Sequence, residues 1–149
     1  LAILREVLYY EPKSKKTSLK NACEYAHKML KKRCILFIIS DWIDSGYEHS
    51  LKILATKNDV IALRVLDDSE LELPNAGIIS FQDPETGEEV WINSSDAKLR
   101  KAYQEIVNKE QKDLEEFFRK CNCDYLLIRT SDSYINSLRK FFTLRGKRK

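Results

Sequence analysis

Glycine, proline and histidine are scarce in this chain, and the scarcity removes several function classes at once. Four glycines occur in 149 residues, the first at Gly46. A phosphate-binding P-loop or a dinucleotide fingerprint needs glycines directly after an early strand, so Lys16-Thr17-Ser18 is not the end of a Walker motif. The two histidines, His27 and His49, fall inside helical patterns with no nucleophile placed to use them. No Gly-x-Ser-x-Gly elbow or His-Glu-x-x-His pair is present. Catalysis therefore finds little support, and we expect a protein that is not an enzyme.

Cysteine is sparse too. Cys23, Cys34, Cys121 and Cys123 are too few and too irregular for a disulfide scaffold, so reduced thiols and a cytoplasmic setting are expected. A zinc site from Cys23, His27, Cys121 and Cys123 competes poorly with ordinary packing, because Cys121 and Cys123 lack the two-residue spacer of zinc ribbons. No apolar run approaches the roughly 20 residues of a membrane span, and Leu1 to Glu6 lack the basic start and long apolar core of a signal peptide. The absence of an initial Met is read as a fragment or a processed chain.

Charge is present in quantity but segregated. Residues 12 to 33 carry eight Lys or Arg against Glu24 alone, residues 34 to 95 carry twelve acids against three bases, and residues 133 to 149 carry six bases and no acid. The basic tail from Arg139 to Lys149 admits a nucleic-acid or anionic-surface binder as an alternative function. No groove-reading motif accompanies it, so a solvated C-terminus is the simpler reading and no nucleic acid is expected.

Hydrophobic patterning supplies the architecture. Cys34-Ile35-Leu36-Phe37-Ile38-Ile39 is an unbroken apolar run ending in Ser40-Asp41, which reads as a strand buried on both sides within a parallel sheet. Before it, Ile3, Leu4, Val7 and Leu8 mark a short helix ended by Glu11-Pro12. A second helix carries Leu19, Ala22, Cys23, Ala26, Met29 and Leu30 and starts at a Thr17 or Ser18 cap. After it, a helix from Tyr47 to about Thr56 leads to a strand at Val60 to Leu66, a right-handed parallel crossover. Ile78 to Gln82 and Glu89 to Ile92 flank Asp83-Pro84-Glu85-Thr86-Gly87 as a β-hairpin. A long helix from Ser95 or Asp96 to Lys120 turns Leu99, Ala102, Tyr103, Ile106, Leu114, Phe117 and Phe118 inward. A strand at Asp124 to Arg129 and a helix from Tyr134 to about Leu144 close the chain.

In open α/β sheets ligands gather at the carboxyl ends of the strands. Those ends hold Ser40, Asp41 and Asp44, then Asp67 and Asp68, then Thr130, Ser131 and Asp132. Hydroxyl and carboxylate oxygens suit Mg²⁺ or Ca²⁺. Thr17 stands on the same side of the sheet as Asp41, since its helix runs from that side back to the strand's start. One threonine and one aspartate make an incomplete shell, and a helix cap for Thr17 with a loop role for Asp41 is the competing assignment.

An ordered series of segments carries a resemblance. It runs from Lys16-Thr17-Ser18-Leu19 through Ile35 to Asp44, Asp59 to Val65, Glu72-Leu73-Pro74-Asn75-Ala76-Gly77 and Asp83 to Gly87, to Thr130-Ser131-Asp132-Ser133-Tyr134 with Phe141-Phe142. This series resembles the C-terminal half of the domain-of-unknown-function family 58 proteins. The resemblance implies a three-layer, Rossmann-like von Willebrand factor A fold, here residues 1–149 as the C-terminal part of one such domain. It also implies a protein-interaction role beside MoxR-type AAA+ ATPases that assemble or activate other proteins. By position Thr17 and Asp41 match the threonine and the late aspartate of that fold's metal site. The Asp-x-Ser-x-Ser motif that completes the site is absent from this sequence, so Mg²⁺ is expected to bind weakly or not at all. A metal-dependent hydrolase stays as a further alternative. The resemblance finally implies that the fold's first strands are missing and that the strand at Ile35 becomes an edge. Such an edge invites another copy of the chain, so a homo-oligomer is expected.

Overall fold

The computed structural model describes residues 2–11, 17–82 and 86–147. The loop around Lys13 to Lys16, the hairpin residues Asp83 to Glu85 and the terminal Arg148 and Lys149 lie outside the described residues. Element order is α1 (Ala2–Tyr9), α2 (Leu19–Met29), β1 (Ile35–Ser40), α3 (Glu48–Lys57), β2 (Asp59–Leu66), α4 (Asp68–Leu71), β3 (Ile78–Gln82), β4 (Glu89–Asn93), α5 (Ala97–Lys120), β5 (Asp124–Arg129) and α6 (Tyr134–Gly146).

The main sheet has the order β1-β2-β5, all parallel, and β3 and β4 form a separate antiparallel pair. The mixed α/β class and the hairpin expected from the sequence are both present. Side chains alternate between the two faces. Leu36, Ile38, Val60, Ala62 and Tyr125 face the larger core, where Leu19 and Cys23 of α2, Leu51 and Leu54 of α3 and Phe118 of α5 meet them. Phe118 is fully buried, stacked on Tyr125 at 5.2 Å and edge-on to Trp42 at 4.7 Å. Across the sheet, α6 covers part of the opposite face, with Phe142 edge-on to Phe37 at 6.2 Å.

β1 departs from the reading as a strand buried on both sides. Ile35, Phe37 and Ile39 are 58%, 45% and 67% exposed. The cause is topological: among the described residues β1 pairs only with β2, so it is an edge, as the family resemblance implied, and α6 leaves much of its second face uncovered. Hydrogen-bond parity identifies the free backbone groups. Asp59 N–H donates to the Cys34 carbonyl at 2.9 Å and Thr130 N–H to the Leu66 carbonyl at 2.9 Å. Backbone groups alternate sides along a strand, so Ile35, Phe37 and Ile39 turn theirs outward from β1, and Tyr125 and Leu127 turn theirs outward from β5.

Three further differences have local causes. The inward stripe of α5 is Tyr103, Val107, Gln111, Leu114 and Phe118, while Leu99, Ala102 and Ile106 are exposed. The polar Gln111 sits in the middle of the true stripe and hides its phase. α4 forms at the acids after β2, where the sequence reading placed no helix, because Asp67 and Glu70 make a reciprocal capping box at its start. The basic tail is partly structural: α6 continues to Gly146, and Arg145 pairs with Asp59 and, at 2.7 Å, with Asp124. Among the described residues nothing covers the apolar stripe of α1, with Ile3, Leu4, Val7 and Leu8 all exposed. Among the described residues, no helix is long and apolar enough to cross a membrane.

Candidate functional site

The loop after β1 is shaped by a residue in an uncommon conformation. Trp42 has φ +65, a left-handed backbone that a bulky side chain avoids unless its surroundings impose it. Burial imposes it here. The indole is 4% exposed, packs on Tyr47 and Phe118, and donates from Nε1 to the Leu63 carbonyl at 3.3 Å. Trp42 N–H donates to Ser40 Oγ at 3.1 Å, and Ile43 N–H to Asp41 Oδ1 at 3.1 Å. The turn thus sends the indole into the core and leaves Asp41 exposed at its head.

Asp44, three residues on, joins this loop to α2. Its Oδ2 accepts the Leu19 N–H at 2.7 Å and its Oδ1 accepts the Ser45 N–H at 2.7 Å. The first amides of a helix have no intrahelical acceptor, and a carboxylate there is also favoured by the helix dipole. Ser18 serves as the N-cap, accepting from Asn21 N–H at 3.3 Å. Thr17 therefore stands one residue before the cap, exposed, and is not itself the capping residue. The helix start carrying Thr17 and the loop headed by Asp41 are tied together through Asp44.

Arg64 supports the loop from beneath and was not singled out by sequence reasoning. It is 6% exposed; its Nε donates to the Asp41 carbonyl at 3.1 Å and its Nη1 to Gln111 Oε1 at 2.9 Å, an oxygen shared with Tyr125 Oη at 3.1 Å. An arginine inside the apolar run Val60 to Leu66 was the available signal, since a buried cation requires oriented acceptors. Beside it lies an open cleft of about 640 Å³ walled by Trp42, Tyr47 and Phe117 and edged by Asp44, Glu48 and Asp113. Burial, then the charges of Glu48 and Asp44, push the Tyr47 hydroxyl up to about 12.

The other strand ends serve the fold. Thr130 Oγ1 donates to Asp67 Oδ2 at 2.7 Å, clasping the ends of β5 and β2. Hydrogen bonds from the Ser69 side chain, from Thr130 and from the Ser69 amide hold the Asp67 carboxyl at about 2. Arg129 lies 3.8 Å from Asp68. Cys23, Cys121 and Cys123 join the main core and their thiols are pushed up by burial, Cys123 to about 12. Among the described residues no three His, Cys, Asp or Glu side chains are grouped to hold a metal.

The donors at the β1 end can be set against the needs of Mg²⁺. Asp41 has one oxygen already engaged by Ile43 N–H and Ser40 Oγ, and Thr17 adds one hydroxyl. Mg²⁺ takes six oxygens in near-ideal octahedral geometry, usually several waters with one or two carboxylates and further oxygens from a bound partner group. The side chains present do not by themselves make that site.

Residues 1–113 match the family described as "Protein of unknown function DUF58". An uncharacterised protein of Mycobacterium avium is 29% identical over 132 residues, 87% of this chain and 76% of that protein. Uncharacterised proteins of Mycobacterium bovis and Mycobacterium tuberculosis are each 28% identical over 118 residues; the match spans 78% of this chain but 37% of theirs. No solved structure matches the chain. With the family match covering most of its length, the chain belongs to the DUF58 family of proteins of unknown function.

Proposed function

We propose that this chain is a non-enzymatic protein-interaction module of von Willebrand A type, cytoplasmic, that works with a MoxR-type AAA+ ATPase in assembling or activating other proteins. Its contact face is the carboxyl end of β1, with Thr17 and Asp41 as the oxygen donors of a partial metal site. The observation that carries this reading is the Asp44–Leu19 hydrogen bond, which fastens the helix start bearing Thr17 to the loop headed by Asp41. The two segments, joined by a bond between residues 25 apart in sequence, thereby form one exposed surface over a buried aromatic and arginine support.

Self-association belongs to the same reading. The outward backbone groups of Ile35, Phe37 and Ile39 can pair with the same strand of a second copy about a two-fold axis. An antiparallel pairing would set Lys31, Lys32 and Arg33 of one copy against Asp41 and Asp44 of the other, which is self-complementary in charge.

The test is surface plasmon resonance of the chain against a purified MoxR-type ATPase, with and without ATP. Saturable binding that Asp41→Ala weakens at least tenfold, and that Asp132→Ala leaves unchanged, is the expected result. Equal binding by both variants, or none by the parent chain, would contradict the reading.

A further inference from the structure

The parallel strands give the molecule two ends of different chemistry. β1, β2 and β5 all begin at the same end, with Ile35 beside Asp59 and Ile61 beside Asp124. The helices finish there too: α2 runs into Lys31, Lys32 and Arg33 ahead of β1, α3 stops at Lys57 ahead of β2, and α5 stops at Lys120 ahead of β5. Cys34 N–H donates to Asn58 Oδ1 at 3.3 Å, which ties the first two junctions together. Arg145 pairs with Asp59 and Asp124, the first residues of β2 and β5, and so brings the end of α6, with Lys147, to the same place.

Charge at this amino end does not cancel. Lys31, Lys32, Arg33, Lys57, Arg119 and Lys147 are exposed and form no ion pair among the described residues. The nearby carboxylates are Asp59 and Asp124, both taken by Arg145, and Glu115 and Glu116 in the closing turns of α5, the latter paired with Lys120 at 2.9 Å. The free cations together with Arg145 and Lys120 outnumber these four acids. Large aliphatic side chains stand among the cations: Met29 at the end of α2, Ile35 at the start of β1 and Leu144 near the end of α6 are 60%, 58% and 50% exposed. Cations interleaved with exposed aliphatic side chains suit a surface that is anionic outside and apolar beneath. Nucleic-acid phosphates would use the cations but give those side chains nothing to bury in.

We propose that the amino end of the sheet is a docking face for an anionic phospholipid bilayer, with the six free cations against the headgroups and Met29, Ile35 and Leu144 entering the interface. The carboxyl end of β1, which bears Thr17 and Asp41, then points away from the bilayer, so the two faces can be used together and are tested separately. Pairing of β1 with a second copy would draw on Lys31, Lys32 and Arg33, so that pairing and lipid binding compete.

The experiment is flotation of the intact chain with vesicles of three parts phosphatidylcholine to one of phosphatidylserine, and with vesicles of phosphatidylcholine alone. Binding to the mixed vesicles that is at least tenfold weaker on phosphatidylcholine is expected. The Lys32→Glu, Lys57→Glu double variant should lose at least tenfold. Lys98→Glu, Lys101→Glu, an equal charge change at exposed positions near the start of α5, should bind as the parent does. Met29→Ser, Leu144→Ser should weaken binding at least threefold, and a polyuridylate strand should not displace the chain from the vesicles. The fold of each variant is verified by circular dichroism. Absent or equal binding to the two vesicle types, equal loss in the two charge variants, full binding by Met29→Ser, Leu144→Ser, or displacement by polyuridylate would overturn the proposal.

Discussion

Replacing Asp44 by alanine removes both hydrogen bonds of one carboxylate, to the Leu19 and Ser45 amides, each at 2.7 Å. A hydrogen bond to a charged group contributes about 1.5–3 kcal/mol net, and a carboxylate at a helix N-terminus about 0.3–1 kcal/mol, two effects that overlap here. We expect a loss of about 2–3 kcal/mol. For a chain of this size that lowers Tm by roughly 5–10 °C. Urea unfolding followed by tryptophan fluorescence reads the loss, because Trp42 is buried while Trp91 is 66% exposed and changes little. Hydrogen exchange adds a local readout: the Leu19 amide should lose protection in Asp44→Ala and keep it in Asp132→Ala, a control at an exposed position. A change under about 0.5 kcal/mol, the range of ordinary surface substitutions, together with unchanged exchange at Leu19, would refute the fastening of α2 to the β1 loop.

Phe118→Ala removes a fully buried ring from between Trp42 and Tyr125 and should cost about 3–5 kcal/mol in the same urea assay; a cost below 1 kcal/mol would mean the aromatic cluster is not packed as described. The Asp67 carboxyl, held at about 2 by Ser69 and Thr130, lies below its unfolded value of about 3.9. Its contribution to stability is therefore present above about pH 4 and is lost as pH falls through about 2. Thr130→Val should raise that carboxyl toward the unfolded value in an NMR titration, and an unchanged midpoint would remove Thr130 from the clasp. The thiols of Cys23, Cys121 and Cys123, buried and pushed up by burial, should react with a disulfide reagent only on unfolding, whereas half-buried Cys34 reacts first in the native chain.

Where two local signals agreed, the elements were legible from the residues. Asp124 to Arg129 is bounded by a turn and a polar end and emerges as β5 at those bounds; Asp96 caps α5 as its position before a helical pattern implies. The errors arose where tertiary context decides. An apolar run such as Ile35 to Ile39 reports affinity for a core but not how many faces the core covers, so the run by itself reads as an interior strand, and it was the family resemblance that implied the edge position β1 occupies. Gln111 occupies an inward position because Arg64 and Tyr125 need its carbonyl oxygen, and a polar residue there breaks the apolar period. The site was partly legible in the same way. Position along the sheet pointed to Thr17 and Asp41, but Trp42 in its left-handed turn and Asp44 on the Leu19 amide organise the loop through long-range contacts that no local pattern encodes, and Arg64 under Asp41 showed only as a cation in an apolar run, without its partners. Asp67 and Thr130 carry the same residue types at equivalent strand ends and prove to be a structural clasp.

Hydrogen exchange of the chain with and without a MoxR-type ATPase tests the central claim most directly. The account predicts that added protection falls together on residues 17–20 and 41–47, the two segments joined by Asp44. Protection confined to other surfaces, or protection of one segment without the other, would contradict it.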